Sequence, residues 1–335
     1  MKQEKKSCLF CTGSFKKNCS LQELANELHI PKRTIKELIR KVNFSLKQFL
    51  LMEEFIYSNH KGEIYTKETD QPKKLAVFYK LRLRYLQESN RFNYLMLLIN
   101  YPQSAVPKKY LLEQLYISPS YLEKLTKQLN HSLNKFHLRI VSVQNCCVLE
   151  GNELSIRLYL YFFLSDTFEG DDWPFSSLEL NTLKKKSKDE HREKNPKQEK
   201  NIYLLLALFI CRNRQQARFS KISPEITELM DLLQRTHDYS ECFTSFSAIY
   251  PCEEVETERA YFNYFFYCFF SKSNFIPTKT GDWFLIFHKQ KPYLPTSRSI
   301  DDLLNSTVSY QSFGRQKTDL FLFSRTSSYS FGTVR

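Results

Sequence analysis

The chain has 335 residues, enough for two or three domains with cores of their own. A hydrophobic fraction of 42%, with 28 Phe and 20 Tyr, marks a folded protein, and the 7 Gly form no phosphate-binding loop, which argues against a nucleotide-using enzyme. The net charge of +13 is confined to one end: residues 1–150 hold 25 Lys and Arg against 13 Asp and Glu, a net of +12, while residues 151–335 hold 24 against 23. Such an excess suits attraction to a polyanion.

Nine irregularly spaced cysteines form no disulfide framework and point to a reducing cytoplasm. The opening residues carry no apolar leader. The longest apolar runs, residues 202–211 and 261–270, fall well short of the ~20 residues of a membrane helix, so no membrane is expected as a partner.

Residues 20–42, SLQELANELHIPKRTIKELIRKV, read as a helix-turn-helix. Leu21, Leu24, Ala25 and Leu28 mark one helix face, and Ser20 with Glu23 is a capping-box start. His29 stands in the turn where glycine is common. A second helix then buries Ile35, Leu38 and Ile39 and exposes Lys32, Arg33, Lys36 and Arg40, which with Thr34 form the first candidate DNA reader. Ala25 fits where the two helices cross most closely. Residues 59–62, between two β-prone stretches, predict a hairpin wing, and residues 69–74 a linker.

A second copy follows. Residues 75–100 are helical in pattern, 108–116 form a short helix, and Ser118-Pro119 is an N-cap followed by proline at the first helical position. Residues 119–133 bury Leu122, Leu125 and Leu129 and expose Ser120, Tyr121, Lys124 and Lys127, the second candidate reader. Two strands, 137–143 and 147–150, close this unit as another wing, and Leu112 takes the place of Ala25. Cys146 and Cys147 fall in a strand, where adjacent side chains face opposite ways.

From Gly151 the chain turns helical, aromatic and neutral. Helices are expected at 155–168, 201–218, 224–235 and 253–271, with a charged loop or helix end at 183–200. The last holds eight aromatics in residues 261–270 and reads as a bundle core or interface. Beyond Tyr293 the pattern dissolves into a poorly ordered tail. The fold class is therefore mainly α, with winged helix-turn-helix domains at 1–68 and 75–150, a helical module at 151–292 and a tail at 293–335.

No catalytic constellation stands out, so an enzyme is not expected. Cys8-x-x-Cys11 with Cys19, and His29 or His60, offers one tight doublet where structural zinc uses two, and neither metal nor cofactor is expected.

The stretches LQELANELHIPKRTIKELI, YLQESNRFNYLMLLINYP with LLEQLYISPSYLEKLTKQLN, and LEGNELSIRLYLYFFLSDTFEGDDWPF together resemble the Mga-type family of Gram-positive transcriptional regulators over roughly residues 20–290. The last is the most specific, with its Gly-x-Glu-x-x-Ile-Arg start and closing Trp-Pro-Phe. The resemblance implies two winged helix-turn-helix domains and a helical module like a phosphotransferase regulation domain. It also implies activation of surface, virulence-type or sugar-responsive genes, binding of double-stranded DNA as a homodimer or larger oligomer, and contact with phosphotransferase-system proteins. His191 and His237 are the candidate phosphorylation positions, although neither they nor His288 lie in a matching motif. Family members run on past the length of this chain, so a shortened relative is expected, and with it a second reading: a non-activating partner of a full-length regulator. An RNA-binding antiterminator is disfavoured, because such proteins open with a small β-rich domain and residues 20–42 are helical in pattern.

Overall fold

The computed structural model describes residues 19–68, 70–169, 172–186, 196–222 and 255–270, with Pro224 and Thr227. The fold is mainly helical. Two compact units divide it within a helix, one running up to Asn93 with Thr167–Asp172, the other holding Tyr94–Asp166 and residues from Trp173 on.

In the first unit, β1 (Cys19–Ser20) leads into α1 (Leu21–Leu28) and α2 (Lys32–Leu50), followed by the hairpin β2 (Ile56–Ser58) and β3 (Glu63–Thr66) and by α3 (Gln71–Gln87). The capping box is formed: the Ser20 hydroxyl accepts from the Glu23 N–H at 3.1 Å, and the Glu23 carboxylate accepts from the Ser20 N–H at 2.7 Å. Two donors that the helix leaves unpaired are thereby satisfied, which stabilises the helix start by about 1 kcal/mol. His29 ends α1 in the left-handed region (φ 50). Leu24, Ala25, Ile35, Leu38, Ile39, Val42 and Leu46 bury their side chains together with Phe55, Ile56 and Ile64 from the hairpin and Phe78 and Leu81 from α3. Each such Leu or Ile contributes roughly 1.5–3 kcal/mol.

Two expectations change here. The second helix runs on to Leu50, because Val42 and Leu46 continue its buried stripe. The segment expected as a linker is helical from Gln71: Asp70 occupies the N-cap and Pro72 the first turn, and such a pair opens a helix as readily as it marks a loop.

The predicted single helix over 75–100 is two, α3 and α4 (Asn90–Asn100). Glu88 caps the first, and the Ser89 carbonyl accepts from the Asn93 N–H at 2.9 Å to start the second. Then come β4 (Ala105–Pro107), α5 (Lys108–Leu115), α6 (Pro119–Leu133), a 3-10 turn (Asn134–Phe136), and the hairpin β5 (Arg139–Val143) and β6 (Cys146–Glu150). Ser118 caps α6 by accepting from the Tyr121 N–H at 3.3 Å. Cys147 is buried and Cys146 only half so, as a strand's alternation requires.

The order strand, helix, helix, hairpin thus occurs twice, with the sheets ordered β1-β3-β2 and β4-β6-β5, both antiparallel. Through both helices the copies keep an offset of 87 residues. The Leu21 N–H donates to Gly62 at 2.7 Å and the Lys108 N–H to Asn145 at 3.0 Å, each tying a hairpin turn to the start of a first helix. The turn after each first helix repeats, with Ile30 donating to Ala25 at 3.0 Å and Ile117 to Leu112 at 3.2 Å. Most telling are two asparagines. Asn43 in α2 accepts from the Ile56 N–H at 2.9 Å and donates to the Ile56 carbonyl at 2.6 Å. Asn130 in α6 does the same to Ile140, at 2.6 and 2.9 Å. Each side-chain amide acts as a missing strand partner and braces the first wing strand against the second helix. Tyr94 in α4 adds a bond between its buried hydroxyl and that of Thr126, 3.2 Å away.

Beyond the second hairpin lie α7 (Glu153–Thr167), α8 (Leu180–Lys186), α9 (Pro196–Arg214) and α10 (Val255–Phe270). The expected charged loop at 183–200 supplies the end of α8 and the start of α9. Its middle, the helix expected at 224–235 apart from its described residues Pro224 and Thr227, and the tail beyond Tyr293 lie outside the described residues.

At the centre of the second unit Arg157 is fully buried. Its guanidinium donates to both carboxylate oxygens of the equally buried Glu258 (2.6 and 3.1 Å), to Glu153 at 2.8 Å and to the Ala217 carbonyl at 2.9 Å. The rings of Phe209 and Phe219 lie 4.3 Å from it. Burial alone would lower the Arg157 pKa; Glu153 and Glu258 outweigh it and raise it. Glu153 also accepts from Arg212 at 2.6 and 3.0 Å, Arg212 donates to Gln215 at 2.8 Å, and the Gln215 amide donates to the carbonyls of Leu98, Ile99 and Tyr101 at the end of α4.

Two stability outcomes follow from these contacts. Asn130→Ala strands a strand N–H and C=O and is expected to cost about 1–3 kcal/mol in denaturant unfolding. Glu258→Ala leaves a buried guanidinium unpaired and is expected to cost about 3–5 kcal/mol, part of which Arg157→Met restores in the double variant.

Candidate nucleic-acid interface

The buried stripe of α2 decides what faces out. With Ile35, Leu38, Ile39, Val42 and Leu46 inside, the 3.6-residue period sets Arg33, Glu37, Arg40 and Phe44 opposite, flanked by Lys36, Lys41 and Lys47. Lys32, Arg33, Lys36 and Arg40 are all exposed and share this surface, whereas Thr34 lies half-buried at its edge. Arg33, its side chain 91% exposed, meets Glu37 at 3.6 Å. An exposed pair of this kind holds its partners weakly and leaves the guanidinium available.

On α6 the stripe is Leu122, Leu125, Leu129, Ser132 and Leu133. Ser120, Lys124, Lys127 and His131 are exposed on the opposite face, and Tyr121 sits at its margin. The two faces correspond position by position at the 87-residue offset, Arg40 with Lys127 and Thr34 with Tyr121. At two places the charge inverts, with Lys36 matched by Glu123 and Glu37 by Lys124. The surfaces are alike in shape and different in sign pattern.

The hairpins differ as well. The β2–β3 turn exposes His60 and Lys61. Below it the Glu63 carboxylate accepts from the Tyr65 hydroxyl and the Asn59 amide, both at 2.6 Å, and these bonds hold its pKa below the usual carboxylate range. The β5–β6 turn carries the uncharged Gln144 and Asn145, both left-handed, beside an exposed Val143.

Sequence reasoning missed Phe44, Lys41, His131 and the paired asparagines. Phe44 is 68% exposed at the centre of the α2 face. Extending the buried periodicity past Val42 would have placed it there. Of the other candidates, His191, His237 and His288, and Cys8 and Cys11 of the weighed zinc set, lie outside the described residues. Among the described residues no group of three His, Cys, Asp or Glu is arranged to hold a metal, and no helix is long and apolar enough to cross a membrane.

Residues 78–164 match the family model of the Mga helix-turn-helix domain. The chain carries an Mga helix-turn-helix domain. The matched segment takes in α4 through β6 with parts of α3 and α7, and so includes the Asn130 brace, the α6 face and the Glu153–Arg157 pair. The Mga-type resemblance read from the sequence is borne out there. No curated protein matches the chain.

Proposed function

We propose that this Mga-type chain is a sequence-specific DNA-binding transcriptional regulator. Its two strand–helix–helix–hairpin repeats act as tandem winged helix-turn-helix domains, residues 1–68 and 75–150, ahead of a helical regulation-domain-like module at 151–292. The observation that carries this reading is the duplicated brace. Asn43 and Asn130 fix a helix with outward cations against a hairpin, once inside the matched family segment and once before it.

In this reading Lys32, Arg33, Lys36 and Arg40 enter one major-groove segment, where an arginine can pair with guanine O6 and N7. Ser120, Tyr121, Lys124 and Lys127 engage a second segment with a larger share of phosphate contacts. The inverted charges at Lys36/Glu123 and Glu37/Lys124 support different base preferences for the two units. The +12 excess of residues 1–150 supports strong attraction to the duplex. On the family resemblance we add an activating role, self-association and control through phosphotransferase-system proteins acting on His191 or His237.

Arg33→Ala is expected to weaken binding by about 1–3 kcal/mol and to relax preference at one base position. Lys127→Gln should weaken binding across all sequences and reduce the salt slope by about 0.9. Gel-shift titrations against duplexes selected from a random pool measure both. Unchanged binding by Arg33→Ala and Lys36→Ala together would remove α2 as a reader.

A further inference from the structure

Phe44 stands on α2 where the fold has no use for a ring. The residues around it fix the rotation of the helix: Val42 and Leu46 are buried, Asn43 braces Ile56, and the Tyr85 hydroxyl donates to Ser45 at 3.0 Å. Phe44 is thereby turned outward and left 68% exposed. Among the described residues its ring stacks on no other aromatic and lies over no cation. A phenylalanine in this setting adds nothing to the core, and alanine would favour the helix more.

The surroundings of the ring point to its occupant. On a helix surface the neighbours of a residue lie three and four positions away. For Phe44 these are Arg40, Lys41, Lys47 and Gln48, all exposed, so cations border the ring on both sides along the helix. Lys47 pairs with the exposed Glu53 at 2.7 Å, and the line continues through Arg40 to Glu37 and Arg33. A second copy of this face would set cations against cations. An apolar ring inside a cationic rim suits a polyanion that carries apolar groups between its charges. The major groove of DNA is such a surface: phosphates border it, and each thymine presents a C5-methyl that a phenylalanine can contact. Phe44 lies one turn beyond Arg40, so about 6 Å, or roughly two base steps, separate the bases that the two side chains reach. We infer that Phe44 is a specificity-determining residue whose ring packs on a thymine methyl in the groove entered by α2. This rests on the proposed DNA-binding function and names one base that the first unit selects. At the 87-residue offset α6 carries the polar, exposed His131 in this place, so the second unit lacks the contact.

Deoxyuridine separates the methyl from every other feature of the base, because it pairs with adenine as thymine does and lacks only the C5-methyl. In a duplex selected from a random-sequence pool on the wild-type chain, each thymine is replaced singly by deoxyuridine and binding is followed by fluorescence anisotropy. At one or two positions the wild-type chain is expected to lose affinity about fourfold, the worth of one buried methyl. Phe44→Ala is expected to bind the thymine duplex more weakly by a similar factor or more, to be indifferent to deoxyuridine at those positions, and to keep at least the wild-type melting temperature. Its salt slope stays that of the wild type, because no cation is removed. Wild-type affinity in Phe44→Ala, no methyl-sensitive thymine on the wild-type chain, or the same sensitivity in both chains would overturn the contact. So would a sedimentation coefficient without DNA that falls on Phe44→Ala, which would give the ring to a protein interface. Failure of the wild-type chain to select any duplex would instead overturn the DNA-binding reading beneath it.

Discussion

The side-chain amide of one asparagine per repeat sets what each unit can do. A wing strand has only one hydrogen-bonded neighbour in its sheet, and its other edge exposes an N–H and a C=O that must be satisfied. Asn43 and Asn130 satisfy both groups of Ile56 and of Ile140 with a two-bond match that mimics a strand. Since each asparagine is itself part of the second helix, the hairpin cannot shift relative to that helix without losing both bonds. A groove-reading surface made of a helix and a wing needs this fixed relation, because a contact misplaced by an ångström or so contributes little.

The second unit has a further constraint in its core. Arg157 could not be buried as a lone cation, so the fold surrounds it with Glu153, Glu258, a carbonyl and two aromatic faces. These partners come from α7, α9, α10 and the chain after α9, so one buried charge ties several helices together. The same network extends through Arg212 and Gln215 to the last carbonyls of α4. α4, which lies inside the family-matched segment, is thus hydrogen-bonded to Gln215 just after α9.

Much of this was legible in the sequence where local rules act. Ser20 with Glu23 and Ser118 with Pro119 announced helix starts that the structure forms, and the buried stripes of α2 and α6 followed from periodicity. What stayed hidden depends on partners distant in sequence. The extension of α2 to Leu50 is held by hairpin and α3 side chains around Leu46, and the break at Glu88–Ser89 has no glycine or proline to announce it. Asn43 and Asn130 look like ordinary polar positions on a helix until the strand they brace is in place. The Gly-x-Glu-x-x-Ile-Arg pattern is visible as a motif, but its physical meaning lies in Glu258, about a hundred residues on, which closes the ion pair over Arg157.

The two repeats also show how one scaffold accommodates different surfaces. Ala25 and Leu112 occupy the same position, yet both turns keep the same backbone bonds, to Ala25 in one and Leu112 in the other. The geometry is carried by the turn bonds and the asparagine brace, and the outward residues are free to diverge. They do so in charge, at Lys36/Glu123 and Glu37/Lys124, and in the wings, where His60 and Lys61 contrast with Gln144 and Asn145. A chain with two identical readers would favour a directly repeated site. Under the proposed function, faces this dissimilar favour an asymmetric site, with α2 reading bases and α6 making a larger share of phosphate contacts. Under the same proposal the concentration of charge in the first 150 residues supplies attraction, and the differences between the two faces supply selectivity.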